Sequence, residues 1–391
     1  MKFAEFFAGV GLVREGLAID GWECVWANDI CENKMQTYLQ NYGEDHFRLG
    51  NVWDYVDDPT SIPDDIFLYT ASFPCTDLSV AGGRAGLAGV HSGSLNAVLK
   101  ILLNKRRAGA APKVILLENV LGFITSHGGK DLSDTVNLLN ELGYVVDVIE
   151  INAAHFTPQS RQRVFLVAVD KEIASNTMKV KSNDGAYADD WWEELTSRPD
   201  IRSLKLQNVI RQNKNLNWGL VKVPPLPVLS NSLIDIIDES VGENSKYWWD
   251  LDRKNKLFSQ MNNNHKRILE YMSAQDSLSY GTVYRRMRKG LSMAELRTDG
   301  IAGCLRTPRG GSSKQILIQG GFGDWKVRLL TPREYARLQG VRDSYILPVK
   351  DNQGYFAMGD AVCVPVINFI SQHILTPIYS AYIDKKIKKA S

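Results

Sequence analysis

Short apolar runs alternate with amphipathic stretches through the first 170 residues of the chain. Residues 2–7, KFAEFF, form an apolar run that predicts a strand. The turn AGVG follows, and LVREGLAIDGW after it predicts a helix. ECVWAND (23–29) and DIFLYTASF (65–73) predict further strands. SLNAVLKILLNKRR (94–107) places apolar residues at helical spacing and ends in basic ones, as a helix C-terminus favours. KVILLENV (113–120) is continuously apolar until its last residues, as a strand covered on both faces of a parallel sheet would be. LSDTVNLLNELGY predicts a helix ending at Gly143, and VVDVIEINA and RVFLVAVD predict two more strands. This alternation predicts an α/β fold with a doubly wound, Rossmann-like sheet.

The rhythm changes after Asp170. Residues 171–314 are polar and aromatic, with DDWW, KYWWD, NNNHKR and YRRMRKG, and predict a second, smaller and irregular domain. The earlier character returns from 315 to 391. QILIQ predicts a strand, and TPREYARLQG a helix with Thr331 as cap, Pro332 in the first turn and Glu334 reaching back. VPVINFISQHILTPI predicts a long apolar helix. The catalytic domain is thus expected at 1–170 and 315–391, with 171–314 inserted.

At 391 residues, 44% hydrophobic and 23% charged, the chain can bury a large core, which excludes a disordered class. The start carries no basic region and cleavage-like site, and no uninterrupted apolar run appears long enough to span a bilayer. A soluble, cytoplasmic protein with no membrane partner is expected. Five cysteines without a CxxC pair predict neither a disulfide framework nor a structural zinc, and no metal is expected. Most of these thiols are expected to be small buried apolar groups.

The net charge of +2 is unevenly spread. Residues 1–65 hold 4 basic and 13 acidic side chains, a net of −9, whereas residues 251–310 hold 12 basic and 5 acidic, a net of +7. The basic segment is expected to face a polyanion.

Four motifs end up at strand termini. In FFAGVG, Gly9 and Gly11 permit a tight turn and a close ligand, and Asp29, 18 residues after Gly11, can accept from ribose hydroxyls. Against that stands an ordinary βα turn with an unrelated acid. PCTDLS follows a buried strand and places Cys75 after Pro74 at the carboxyl edge of the sheet, where α/β folds bind ligands. A thiol there needs a nearby dipole or cation to act as nucleophile. Glu118 of ENV reaches the same edge. In QSRQR, Gln159, Arg161 and Arg163 alternate and are expected on one face. Two guanidiniums beside an amide suit a polar ring, a carboxylate or a phosphate.

FAGVG, FPCTDLS, ENV and QSRQR, in this order and followed by RLLTPREYARLQG and GYFAMGDAV, resemble the ordered motifs of the DNA cytosine-5 methyltransferase family. The resemblance covers about 1–170 and 315–391, with the insert at the place of the family's variable target-recognition domain. It implies an S-adenosylmethionine-dependent enzyme that methylates carbon 5 of a flipped-out cytosine in double-stranded DNA. Cofactor contacts would come from Phe7, Ala8, Gly9, Gly11, Asp29, Ile30, Asn51, Val52, Asp360 and Ala361. Cys75 would attack carbon 6, and Glu118 would bind ring nitrogen 3 and the amino group. Arg163, with Arg161, Gln159 and Pro74, would complete the catalytic set. In the insert, Arg285, Arg286, Arg288 and Arg309, with Asn262, Asn263 and Asn264, are expected to meet DNA. A monomer, functionally paired with a restriction endonuclease or protecting a phage, fits the resemblance.

The chain departs from the family pattern at Thr76 (usually glutamine), Asn51 (usually aspartate), Ser92 (often arginine) and Asp360 (usually asparagine). Three other classes predict different sequences. An RNA cytosine methyltransferase would carry a reduced insert, and a silent DNA-binding relative would lack the Cys or the Glu. A nicotinamide oxidoreductase would need only the first βαβ unit.

Overall fold

The computed structural model describes residues 1–74, 93–181, 188–245, 247–288, 290–307 and 314–390. Cys75, Thr76, Ser92 and Arg309 lie outside the described residues. The chain forms two compact units. Unit 1 comprises 1–151, 162–225 and 366–391, and unit 2 comprises 152–161 and 226–365. These boundaries fall elsewhere than the breaks after 170 and 314, because residues 188–220 and 316–329 each contribute to the hydrophobic core of their own unit.

Unit 1 is built on seven strands: β1 (Lys2–Phe6), β2 (Glu23–Asp29), β3 (Phe47–Leu49), β4 (Leu68–Ser72), β5 (Val114–Val120), β6 (Tyr144–Asn152) and β7 (Gln162–Asp170). Their order is β3-β2-β1-β4-β5-β7-β6. β1, β2, β3, β4 and β5 pair in parallel. β7 runs antiparallel to β5, so the sheet is mixed, not wholly parallel. The apolar run of β5 is explained all the same, since it is covered on both faces whichever way its neighbour points. The core under this sheet holds Ile101, Leu117, Val146 and Leu166. Trp191, Leu195, Leu206, Ile210 and Trp218 join it, from a segment expected to belong to the insert. A small two-stranded ladder, β8 (Lys179–Val180) with β9 (Gly219–Leu220), ties that segment down.

Unit 2 contains a four-stranded antiparallel sheet in place of the irregular domain expected. Its strands are β10 (Ser279–Arg288), β11 (Leu291–Arg297), β12 (Ile316–Gly321) and β13 (Asp324–Leu329), in the order β11-β10-β12-β13. Helices Leu251–Ser259 and Asn263–Ser273 contribute Leu257, Leu269 and Met272 to a core shared with Val283, Ile316, Ile318 and Val327. The capping box at Thr331 is present, and Glu334 also holds Arg328 through two hydrogen bonds at 2.6 and 2.7 Å. Both partners of that pair are buried, so removing either one would leave an uncompensated buried charge.

The helical stretch Asp351–Lys388 is, by length and composition, apolar enough to cross a membrane, which the sequence pattern did not suggest. Its most apolar window is 61% buried, as for a core helix. Ile367, Ile370, Ile374 and Leu375 account for that burial.

Candidate active site

The turn after β1 is held in an unusual backbone conformation. Phe7 adopts φ 56°, Gly9 58° and Gly11 80°. A left-handed phenylalanine costs on the order of 1–2 kcal/mol and needs fixed surroundings. These are supplied by β2. Ala8 N donates to Asn28 O at 2.9 Å, and Gly9 N donates to Asp29 Oδ2 at 2.8 Å. Cys31 N donates to Asp29 Oδ1 at 2.8 Å. Each carboxylate oxygen keeps acceptor capacity after these bonds. The two glycines differ in role. A Cβ on Gly11 would lie 2.5 Å from the Tyr42 ring and 2.9 Å from that of Tyr38, whereas a Cβ on Gly9 would meet nothing nearer than 4.0 Å. Gly11 is required by packing behind the turn, and Gly9 leaves open space in front of it.

The other residues expected at this end of unit 1 separate. Ile30, next to Asp29, is 70% exposed. Asn51 is exposed, and its Oδ1 accepts from Trp53 N at 3.2 Å. Val52 is buried in the core. Glu5, two residues before Phe7, is fully buried on β1, and neither of its carboxylate oxygens has a hydrogen-bond partner among the described residues. Burial pushes its pKa up to about 8, against the pull of Arg14, with Asp29 adding to the rise.

At the carboxyl edge, Ser72 of β4 lies opposite Glu118 of β5. Asn119 Nδ2 donates to Phe73 O at 3.0 Å, which fixes the chain just before Pro74. Arg163 reaches this edge because β7 is antiparallel: its first residues lie beside the last residues of β5. Arg163 pairs in register with Val120 and is diagonal to Glu118 on the same face, a spacing that long side chains bridge. Arg163 Nε lies 3.1 Å from Glu118 Oε1, with 15% and 10% of the two side chains exposed. The result is a preorganised cation–carboxylate pair at a sheet edge.

Gln159 and Arg161 do not join that pair. Both are buried in unit 2, and their donors are spent on backbone carbonyls. Arg161 donates to Leu305 O at 2.8 Å and Ala361 O at 2.6 Å, and more weakly to Gly359 O at 3.4 Å. Gln159 Nε2 donates to Leu338 O at 2.9 Å, and its Oε1 accepts from Leu305 N at 3.2 Å. The expected common face fails because Gln159 and Arg161 precede β7, where the chain makes bridges to Ala302 and not a regular strand. Gln339, missed in the sequence, completes this lattice by donating to Met358 O at 2.6 Å and Ala361 O at 3.1 Å. Ala361 is thus held by its carbonyl, and Asp360 is the exposed last residue of helix Asp351–Asp360.

The arginines of β10 divide between the two faces of their sheet. Arg285 has the parity of the buried Val283, and Arg286 the opposite one. Arg286 is exposed and ion-pairs with Glu295, which lies across the ladder. Arg288 stands at the end of β10. Asn262 caps helix Asn263–Ser273 by accepting from His265 N at 3.0 Å, so its side chain has a structural task. Among the described residues no group of three or more His, Cys, Asp or Glu side chains is placed to hold a metal.

The family model of the C-5 cytosine-specific DNA methylases matches residues 1–376. Type II methyltransferase M.HpaII of Haemophilus parainfluenzae is 26% identical over 396 residues, covering 97% of this chain and 90% of that protein. Type II methyltransferase M.NlaX of Neisseria lactamica is 28% identical over 390 residues, covering 99% of each. Among solved structures, the S. pombe Dnmt2 methyltransferase superposes with a TM-score of 0.61 at 17% identity, over 97% of this chain and 99% of that one. That likeness concerns the fold. The motif order and the family match agree: the chain belongs to the C-5 cytosine-specific DNA methylase family and is an S-adenosylmethionine-dependent DNA (cytosine-5-)-methyltransferase.

Proposed function

We propose that unit 1 carries out the chemistry at the edge where Glu118 and Arg163 meet, with Cys75 as nucleophile. The ion pair at 3.1 Å carries this reading. It lies at the carboxyl end of β5, beside β4, whose last residue Ser72 precedes Phe73 and Pro74. The turn fits an adenosyl ligand: Asp29 keeps acceptor capacity for ribose hydroxyls, exposed Ile30 offers an apolar face, and the space before Gly9 is open. Phe7 and Ala8 would flank the same ligand, with Asn51 and Val52 behind. Asp360 and Ala361 are proposed as further cofactor contacts on the resemblance alone. Bound there, S-adenosylmethionine supplies the methyl group.

The target cytosine must leave the duplex before any side chain can reach carbon 6, which costs a few kcal/mol of unstacking and unpairing. The Cys75 thiolate then forms a bond to carbon 6, and the ring electrons move toward carbon 5 and nitrogen 3. Glu118 holds nitrogen 3 and the amino group as this charge develops. Arg163 fixes the Glu118 carboxylate and faces the ring oxygen. After carbon 5 is methylated, its proton leaves to a base, the carbon 6–sulfur bond breaks, and the thiolate is restored. Arg161 and Gln159 act by holding the Ala361 segment, not by touching the base. Target recognition is proposed for the part of 171–314 that lies in unit 2, since residues 188–220 belong to the core of unit 1. Arg288 and Arg309 are kept as DNA-contact candidates on the resemblance alone. The type II methyltransferase names of M.HpaII and M.NlaX favour a modification role. Action on double-stranded DNA in the cytoplasm, by a monomer paired with a restriction endonuclease, is proposed on the resemblance alone.

Bisulfite sequencing of plasmid DNA from a methylation-free host expressing the protein tests the reading. Protected cytosines at a short recurring sequence are expected, and Cys75→Ser should remove both the protection and the covalent adduct with 5-fluorocytosine DNA. Complete conversion everywhere, with folded protein, would overturn it.

A further inference from the structure

Unit 2 contains a pocket of about 660 Å³ lined by Trp249, Arg253, Lys314 and the first turn of helix Asp351–Asp360. A smaller hollow of about 280 Å³ shares Trp249, Arg253 and Lys314 and reaches Arg285. Together they expose Arg253, Arg285, Lys314 and Lys350 to one space, with Asp351 as the one carboxylate among the lining residues. Asp351 is already engaged, accepting from the Tyr247 hydroxyl at 3.0 Å. No described carboxylate forms an ion pair with Arg253, Arg285 or Lys314. Arg285 is half-buried, its Nε has no hydrogen-bond partner among the described residues, and burial and the charge of Arg253 pull its pKa down. Burial likewise lowers Lys314.

Aromatic rings hold these cations in place. The Arg253 guanidinium lies 4.3 Å from the Trp249 ring centre, and the Lys314 ammonium lies 4.4 Å from that of Tyr355. Lys314 also donates to Asn352 Oδ1 at 2.7 Å. Uncompensated, partly dehydrated like charges raise the energy of the fold, and a bound anion would relieve the strain. Cations beside an indole and two phenols provide both charge for a phosphate and flat faces for a nucleobase.

We propose that this pocket binds a nucleotide unit, with its phosphate between Arg253, Arg285 and Lys314 and its base against the aromatic wall. Two sources share that chemistry: one nucleotide of a bound DNA strand, or a free nucleoside monophosphate. The first source rests on the DNA methyltransferase reading, and the second does not.

Binding of the full chain to a mixed-sequence 20-base-pair duplex, followed against salt, separates them. Each lost phosphate contact lowers the slope of log K against log salt by about 1. Arg253→Gln with Lys314→Gln should therefore lower the slope by about 2 and weaken binding at 0.1 M salt by more than about tenfold. Asn352→Asp sets a carboxylate beside Lys314 without changing side-chain size, and should also lower the slope. Should the double variant fail to fold, Asn352→Asp alone decides. Equilibrium dialysis against dAMP forms the second arm. A lowered slope assigns the pocket to the DNA strand. Retained slopes, with dAMP bound by the wild type and lost in the variants, assign it to a free nucleotide. Wild-type slopes with no dAMP binding overturn the proposal. Methylation is scored separately by bisulfite conversion, so an inactive wild type with a falling slope would remove the enzyme reading and leave the pocket standing.

Discussion

Arg163 in unit 1 and Arg253 in unit 2 are both guanidiniums that we assign to nucleic-acid chemistry, and they stand in opposite surroundings. Arg163 is matched by a carboxylate at 3.1 Å on a strand whose register is fixed by its neighbour. Arg253 has an aromatic face and like charges around it. A site that must hold a base during bond making is preorganised by internal pairing. A site that only binds can leave its charge for the ligand to neutralise.

The sharpest test of that contrast is Glu118→Gln. The substitution preserves shape, removes the negative partner of Arg163, and replaces an acceptor on the proposed ring contact with an amide. The single-turnover methylation rate should fall about 10²–10³-fold, the range typical of losing one transition-state hydrogen bond. An unchanged rate would end the assignment of Glu118 to the base. Next in size is Gly11→Ala. Its Cβ would sit 2.5 Å from Tyr42 with φ at 80°, and neither ring can retreat far from its partner. We expect a loss of about 2–4 kcal/mol in urea unfolding from overpacking and left-handed strain. A loss below about 1 kcal/mol would mean that the turn is not tightly built.

Glu5 extends the comparison to a lone anion. The pocket cations of unit 2 are only partly buried, whereas Glu5 is fully buried and responds by holding its proton. Its ordinary value is 4.5 and its folded value about 8. Between those two values the native state keeps a proton that the unfolded chain has lost. Stability is therefore complete below about 4.5 and falls as pH rises toward 8, by about 1.4 kcal/mol per pH unit at most. Glu5→Gln should remove that slope and be relatively most stabilising near pH 8. Parallel wild-type and variant curves of melting temperature against pH would refute it.

How far the sequence revealed this arrangement depended on whether a feature was local. The capping box at Thr331, the glycine turn and the strand bearing Glu118 are written in consecutive residues and appear as expected. The reversal of β7 is not, because an apolar strand reads alike in either direction. Yet only that reversal lets Arg163, at the start of its strand, reach Glu118, near the end of its own. In a parallel strand of that length Arg163 would start at the far edge, about 20 Å away. The sheet of unit 2 was legible in part. Val283 and the flanking alternation fit a strand, but the polar and aromatic character of 171–314 as a whole reads as irregular. Gln159 and Arg161 were misjudged because charge and alternation do not show whether donors face solvent or buried carbonyls. The cation pocket joins residues from five separate segments between 247 and 356, so no window of sequence displays it.

The smallest expected effect isolates the variable that distinguishes two neighbouring arginines of β10, Arg285 and Arg286. Arg286 carries the same charge as Arg285, but Glu295 already pairs with it on the exposed face. Exposed pairs contribute about 0–1 kcal/mol, and Arg286→Gln should shift stability by less than that. Its effect on DNA binding should also be small, since a phosphate would have to displace Glu295 first. We expect the salt slope to fall by less than about 0.5, against about 1 for Arg253→Gln. Glu295→Gln, which frees Arg286, should then raise the slope toward one additional contact. If Arg286→Gln lowered the slope as much as Arg253→Gln, local pairing would not decide which cation meets the phosphate, and the density of positive charge along β10 alone would explain the affinity.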